Sequence, residues 1–151
     1  MSFLGDRLAA SLDRDGGSFP VEVEGVRDVE PGAATVRDAF LQRFQQTSDH
    51  LLRKLLPRTL AAIEGSAEFR PMRDMLDALD RAGLIDAPEH WLTLIELRNR
   101  LIHDYVLSDA ELAQDLNAAW AMAPMLLDQV ERVRAYALAH HLLDGASIDD
   151  Q

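Results

Sequence analysis

The sequence predicts an all-α protein, an antiparallel bundle of about four main helices behind an N-terminal extension. Three observations predict it. Apolar residues recur at three-and-four spacing through several long segments. Helix punctuation falls at their ends, as at Gly65, Gly83 and Ser108-Asp109-Ala110-Glu111. Strict alternation is confined to one short stretch near the N-terminus.

Ser2 to Leu12 reads as a short amphipathic helix, with Leu4, Leu8 and Leu12 four apart, and Asp13 to Ser18 breaks it. Phe19, Val21 and Val23 then alternate with Pro20, Glu22 and Glu24, a strand signal. A lone strand is not stable by itself. This stretch must pair with another chain or run as an extended arm over the bundle. From Ala33 the period is helical: Phe40, Phe44, Thr47, Leu51 and Leu55 form a stripe that Leu52, Leu56, Leu60 and Ile63 widen. Pro57 should kink or split this helix near Leu56, and Gly65 should stop it. Glu68 to Ala82 gives a shorter helix with Met72, Met75, Leu76 and Leu79 inward and Gly83 as its C-terminal cap. The methionines read as core filler.

Asp86-Ala87-Pro88-Glu89 looks like a helix start, with Asp86 as cap and Pro88 in the first turn. That helix runs through Trp91, Leu94, Ile95, Leu97, Leu101 and Ile102. Ser108 to Glu111 is a second capping box, opening a long helix. There Leu112, Leu116, Ala119, Ala123, Leu126, Val130, Val133 and Ala137 repeat at four and three. Such a repeat suits an antiparallel bundle or a dimer seam. Pro124 should bend it, and the last residues should fray. The organisation predicted is an N-terminal helix and arm over 1–32, a helical bundle over 33–143 and a frayed tail over 144–151.

A chain of 151 residues, 48% apolar, makes one domain with a true core. Without cysteine it has no disulfide, thiolate metal site or cysteine nucleophile, which fits a reducing cytoplasm. The start, Met1 to Asp6, does not resemble a secretory signal. The longest apolar stretch, Trp120 to Leu127, is too short to span a bilayer, so no membrane is expected. Metal and phosphate-loop motifs are absent, and no metal or other cofactor is expected. His140 and His141 are adjacent and read as complements to the negative end of the last helix. Glu64, Glu68, Asp74, Asp77 and Asp80 read as a solvated face, and Trp91 and Trp120 as core or interface anchors. A net charge of −11 repels phosphate at long range. Any nucleic-acid site must therefore be a local basic cleft, and the acidity equally suits a basic protein partner.

The chemistry gathers in Arg98-Asn99-Arg100-Leu101-Ile102-His103-Asp104-Tyr105. Arg98 could clamp a phosphate, and histidine is the side chain that ordinarily titrates near neutral pH. On an ideal helix Asn99 lies one turn before His103 and could fix its tautomer, while Arg98 shares a face with Tyr105. Arg98 and His103 are five apart, off a common face. A second copy of the chain is one way to bring both to a single phosphate. Each residue also has a plainer reading: His103 as a structural or solvated group, Tyr105 as a ring packed on the bundle, and Arg100 as a surface charge rather than a second phosphate contact. Asp104 is placed outward or against Arg100.

Arg98, four intervening residues, His103, one residue and Tyr105 resemble the R-x4-H-x-Y motif of HEPN-domain proteins, specifically the HepT-like ribonuclease toxins. Ala82-Gly83-Leu84-Ile85-Asp86, Trp91 and Leu97-Arg98-Asn99 are similar to that family and equally to its sister group, the substrate-binding subunits of minimal nucleotidyltransferases. The resemblance covers roughly 33–133. It implies a homodimeric, metal-independent endo- or exoribonuclease, the toxin of a toxin–antitoxin pair. Arg98 and His103 would be catalytic, Asn99 orienting, and Arg100 a further phosphate contact. The substrate implied is RNA, with transfer RNA among the candidates. The antitoxin would be a minimal nucleotidyltransferase that transfers AMP to Tyr105. The alternative is a non-catalytic substrate-binding subunit of such an enzyme.

Overall fold

The apolar stripes become helices in the computed structural model, which describes residues 3–28, 30–103 and 107–140. Helix α1 covers Phe3–Asp15, α2 Val23–Arg27, α3 Pro31–His50, α4 Leu56–Glu64, α5 Met72–Arg81, α6 Pro88–Ile102 and α7 Asp109–Ala139. Among the described residues there is no strand. The architecture is therefore all-α, and no helix is long and apolar enough to cross a membrane.

The heptad-spaced positions of α7 form the spine. Leu116, Ala119, Ala123, Leu126, Val130, Val133 and Ala137 are all buried, against α1, α2, α3, α4 and α6. The capping box at its start is made: the Ser108 hydroxyl accepts from the Glu111 N–H (3.2 Å), and the Ser108 N–H donates to Glu111 Oε2 (2.8 Å). Pro124 stands inside the helix on its exposed side. There the missing hydrogen bond can be answered by water.

The alternating stretch near the N-terminus corrects the strand expectation. Phe19 and Val21 are buried as the period-two pattern implies, but their backbone pairs with no strand. Asn117 of α7 takes the strand's place: its Oδ1 accepts from the Val21 N–H (2.7 Å) and its Nδ2 donates to the Val21 carbonyl (2.9 Å). The Phe19 ring stacks on Trp120 with centroids 4.2 Å apart and meets Phe40 edge-on at 5.1 Å. From Val23 the chain turns helical instead of staying extended. Leu8 of α1 is fully buried in the same core.

At Pro57 the helix changes type rather than breaking. The residues before the proline, Leu51–Leu55, form a π-helical turn, and α4 begins at Leu56. The wider turn makes room for the proline ring, which would otherwise press on the carbonyl four residues back. Gly65 ends α4 in the left-handed region (φ 72°), and Gly83 follows α5 likewise (φ 74°). Met75, Leu76 and Leu79 are buried, but Met72 is partly exposed rather than inward, because α5 begins only there, four residues later than predicted.

Asp86 does not cap α6. The N-cap is Ala87, with φ 47°, and it makes no side-chain cap bond. Asp86 instead ion-pairs with Arg132 of α7, whose guanidinium also donates to the Gly83 carbonyl (2.8 Å). This pair draws the Asp86 carboxyl below its usual range, mainly through the hydrogen bond from Arg132. Beside it, buried Gln129 donates to the Leu84 carbonyl (2.6 Å), so α7 grips the whole turn before α6.

Candidate functional site

Trp91, Leu94 and Leu97 bury one stripe of α6, and this fixes the direction of the polar residues that follow. Residues on a helix advance by about 100° each, so Arg98 and Arg100 diverge by about 200°. Each guanidinium meets a different neighbour. Arg98 turns to α3, where it pairs with Asp49; its side chain is only 12% exposed. Its Nη1 donates to Asn99 Oδ1 at 3.4 Å, and its buried Nε has no hydrogen-bond partner among the described residues. Asp49 also faces Arg53, one turn on, at 3.7 Å. The result is a cluster of two guanidiniums around one carboxylate.

Arg100 turns to α7. Its Nε and Nη2 donate to the two oxygens of Asp115 at 3.0 and 2.9 Å. Asp115 is buried and Arg100 half-exposed. The fork geometry holds both groups, and Arg100 is raised above its ordinary value, first by the hydrogen bond to Asp115 and further by the charges of Asp115 and Glu96. Arg100 is thus held in an ion pair with a buried carboxylate of its own chain.

His103 stands where α6 stops. Its backbone is extended (φ −81°, ψ 127°), its N–H donates to the Asn99 carbonyl (3.0 Å), and it is exposed. Asn99 thus contacts His103 through its main chain, while its side-chain oxygen accepts from Arg98. Asp104 and Tyr105 lie outside the described residues, as does His141. His140 closes α7, with Nδ1 2.9 Å from the Tyr136 carbonyl and its ring stacked on Tyr136.

Asp49 and Asp115 are the site residues that reading the sequence missed. The only local signal for Asp49 was Arg53 four residues on, and for Asp115 an acid beside the apolar seam of α7. A basic run accompanies them. From Leu51 to Ile63 the chain has Arg53, Lys54 and Arg58 and no acidic residue, and all three are exposed.

Fold and site define an all-α chain with a charged cluster where α3 meets α6 and an exposed histidine at the end of α6. No family model, curated protein or solved structure matches the chain.

Proposed function

We propose that the chain is a metal-independent ribonuclease of the HEPN class, the toxin of a toxin–antitoxin pair, acting as a homodimer. The observation that carries this reading is the arrangement at the end of α6. Arg98 and Arg53 are held around the one carboxylate of Asp49, and His103 is exposed where the helix stops. The basic run Arg53, Lys54 and Arg58 supports it, because an acidic chain needs a local positive surface to meet RNA.

In this reaction the 2′-oxygen of RNA attacks the adjacent phosphorus as its proton is removed. The 5′-oxygen leaves as it gains a proton, and a 2′,3′-cyclic phosphate remains. His103 serves as the acid/base group and Arg98 binds the charge that builds on phosphorus. Asn99 holds the Arg98 guanidinium, a different part from the expected support of the imidazole. The neutralising partner is a minimal nucleotidyltransferase that transfers AMP from ATP to the Tyr105 oxygen, with pyrophosphate leaving, and the added phosphate would compete for Arg98.

The test is RNA degradation by purified protein in EDTA. His103→Ala should remove it while leaving the melting temperature nearly unchanged, since that side chain is exposed. Activity that survives the substitution defeats the assignment.

A second reading is the non-catalytic substrate-binding subunit of a nucleotidyltransferase. One observation favours it: Arg98 and Arg100 each already hold a carboxylate of the same chain. Co-expression with such an enzyme separates the two, because a mass increase of one AMP on Tyr105 belongs only to the toxin.

A further inference from the structure

Phe69 is 99% exposed, whereas Phe19, Phe40 and Phe44 are buried. Its loop is not loosely hung. Gly65 turns the chain out of α4, and Arg70 is anchored to Glu64 by a two-pronged ion pair. Phe69 stands at the lip of an open groove of about 480 Å³ whose apolar walls come from Pro57, Leu60, Ala61, Met72 and Met75. A large ring held in water beside an unfilled apolar groove needs an occupant for the groove and a cover for the ring.

We propose that a second copy of this chain docks here, each Phe69 seated in the other copy's groove. A two-fold contact uses one patch on both partners, so that patch must carry both projection and recess. This one does. The charges agree as well. Two chains of net −11 repel over most approaches, but the groove is lined by two bases, Arg53 and Arg70, and two acids, Glu64 and Glu68. Glu64 and Arg70 hold each other, and two bases against two acids leave this patch without net charge, so two copies can meet here without the repulsion of the rest. A stable dimer buries about 1,200–2,000 Å². Two phenylalanine rings supply about 150–250 Å² each, so they are the central anchors, with the outer faces of α4 and α5 around them. Arg53 also touches Asp49, the partner of Arg98, so the contact borders the candidate site.

The proposal names a face for the dimer that the ribonuclease reading asks for, and its readout is independent of RNA cleavage. A dimer built through another face would defeat this proposal and leave the ribonuclease reading standing, and a dimer through this face that cleaves no RNA would do the reverse. Sedimentation equilibrium of the full chain should give a dimer. Phe69→Glu should weaken association by about a hundredfold or more, with an unchanged melting temperature. Phe69→Ala, which keeps the groove but loses the ring, and Ala61→Arg, which keeps the ring but fills the groove, should each be largely monomeric. Mixed, they should form a heterodimer through the one intact insertion. A monomeric wild type, a Phe69→Glu variant that associates like wild type, or no heterodimer on mixing would each overturn the proposal. Should Ala61→Arg fail to fold, Phe69→Glu alone decides.

Discussion

Asp49→Asn should weaken the fold and strengthen anion binding together. The substitution keeps the volume of the side chain and removes its charge. What it leaves behind is Arg98, 12% exposed, with its counter-ion gone. Breaking a fully buried pair costs about 3–5 kcal/mol, and an exposed pair contributes about 0–1 kcal/mol. Asp49 is 39% exposed, so water can partly replace it, and the loss should fall between, at about 1–2 kcal/mol. Urea denaturation followed by circular dichroism measures it. Arg98→Gln should cost a similar amount, and the double variant less than the sum, with a coupling of about 1 kcal/mol. A loss under about 0.3 kcal/mol for Asp49→Asn, with no coupling, would refute the pairing. The same variant should bind a short RNA more tightly, because the phosphate no longer competes with a carboxylate for Arg98. Stability and affinity that fall in parallel would instead make Asp49 a group that positions Arg98.

Two further outcomes follow from polar contacts elsewhere. Asn117→Ala strips both partners from the Val21 backbone and should cost about 2 kcal/mol in urea denaturation; a loss below about 0.5 kcal/mol would mean that water satisfies those groups equally well. Asp15 is buried, and its carboxyl is held below the usual range, first by the hydrogen bond from Arg14 and also by Arg43 and Ser11, against the effect of burial. A carboxyl lowered on folding stabilises the fold above its unfolded value of about 3.9 and loses that contribution as pH falls through the folded value. The melting-temperature advantage of wild type over Asp15→Asn should therefore be full at neutral pH and shrink steadily below about pH 4; an advantage that stays constant into acid would contradict this.

What was legible in the sequence is what a helix decides locally. The seam from Leu112 to Ala137 could be read because burial on one face repeats with the helix period, whatever the neighbour is. The alternation from Phe19 to Val23 sets Phe19 and Val21 on one side of the chain, and both are buried. It could not tell what would satisfy the backbone, because that partner, Asn117, is 96 residues away. Asp86 failed as a cap for the same kind of reason. An ion pair with Arg132, 46 residues on, claims the carboxylate that the local pattern assigned to the helix start.

The candidate site repeats this division. Spacing alone shows that Arg98 and Arg100 diverge. It does not show that Asp49 and Asp115 receive them. That matters for how the net charge of −11 is read, since a phosphate near α6 meets the local charges before the total. Arg100 and Asp115 cancel there. Asp49 is shared between Arg98 and Arg53, so in these ion pairs two guanidiniums face one carboxylate between α3 and α6. Lys54 and Arg58 follow on the same side of the sequence with no acid among them. An acidic chain can in this way keep one place where an anion is attracted. If RNA binds, its affinity should fall when Arg53 is replaced by Gln, even though Arg53 has no place in the R-x4-H-x-Y motif. An unchanged affinity would mean that these charges are spent within the fold.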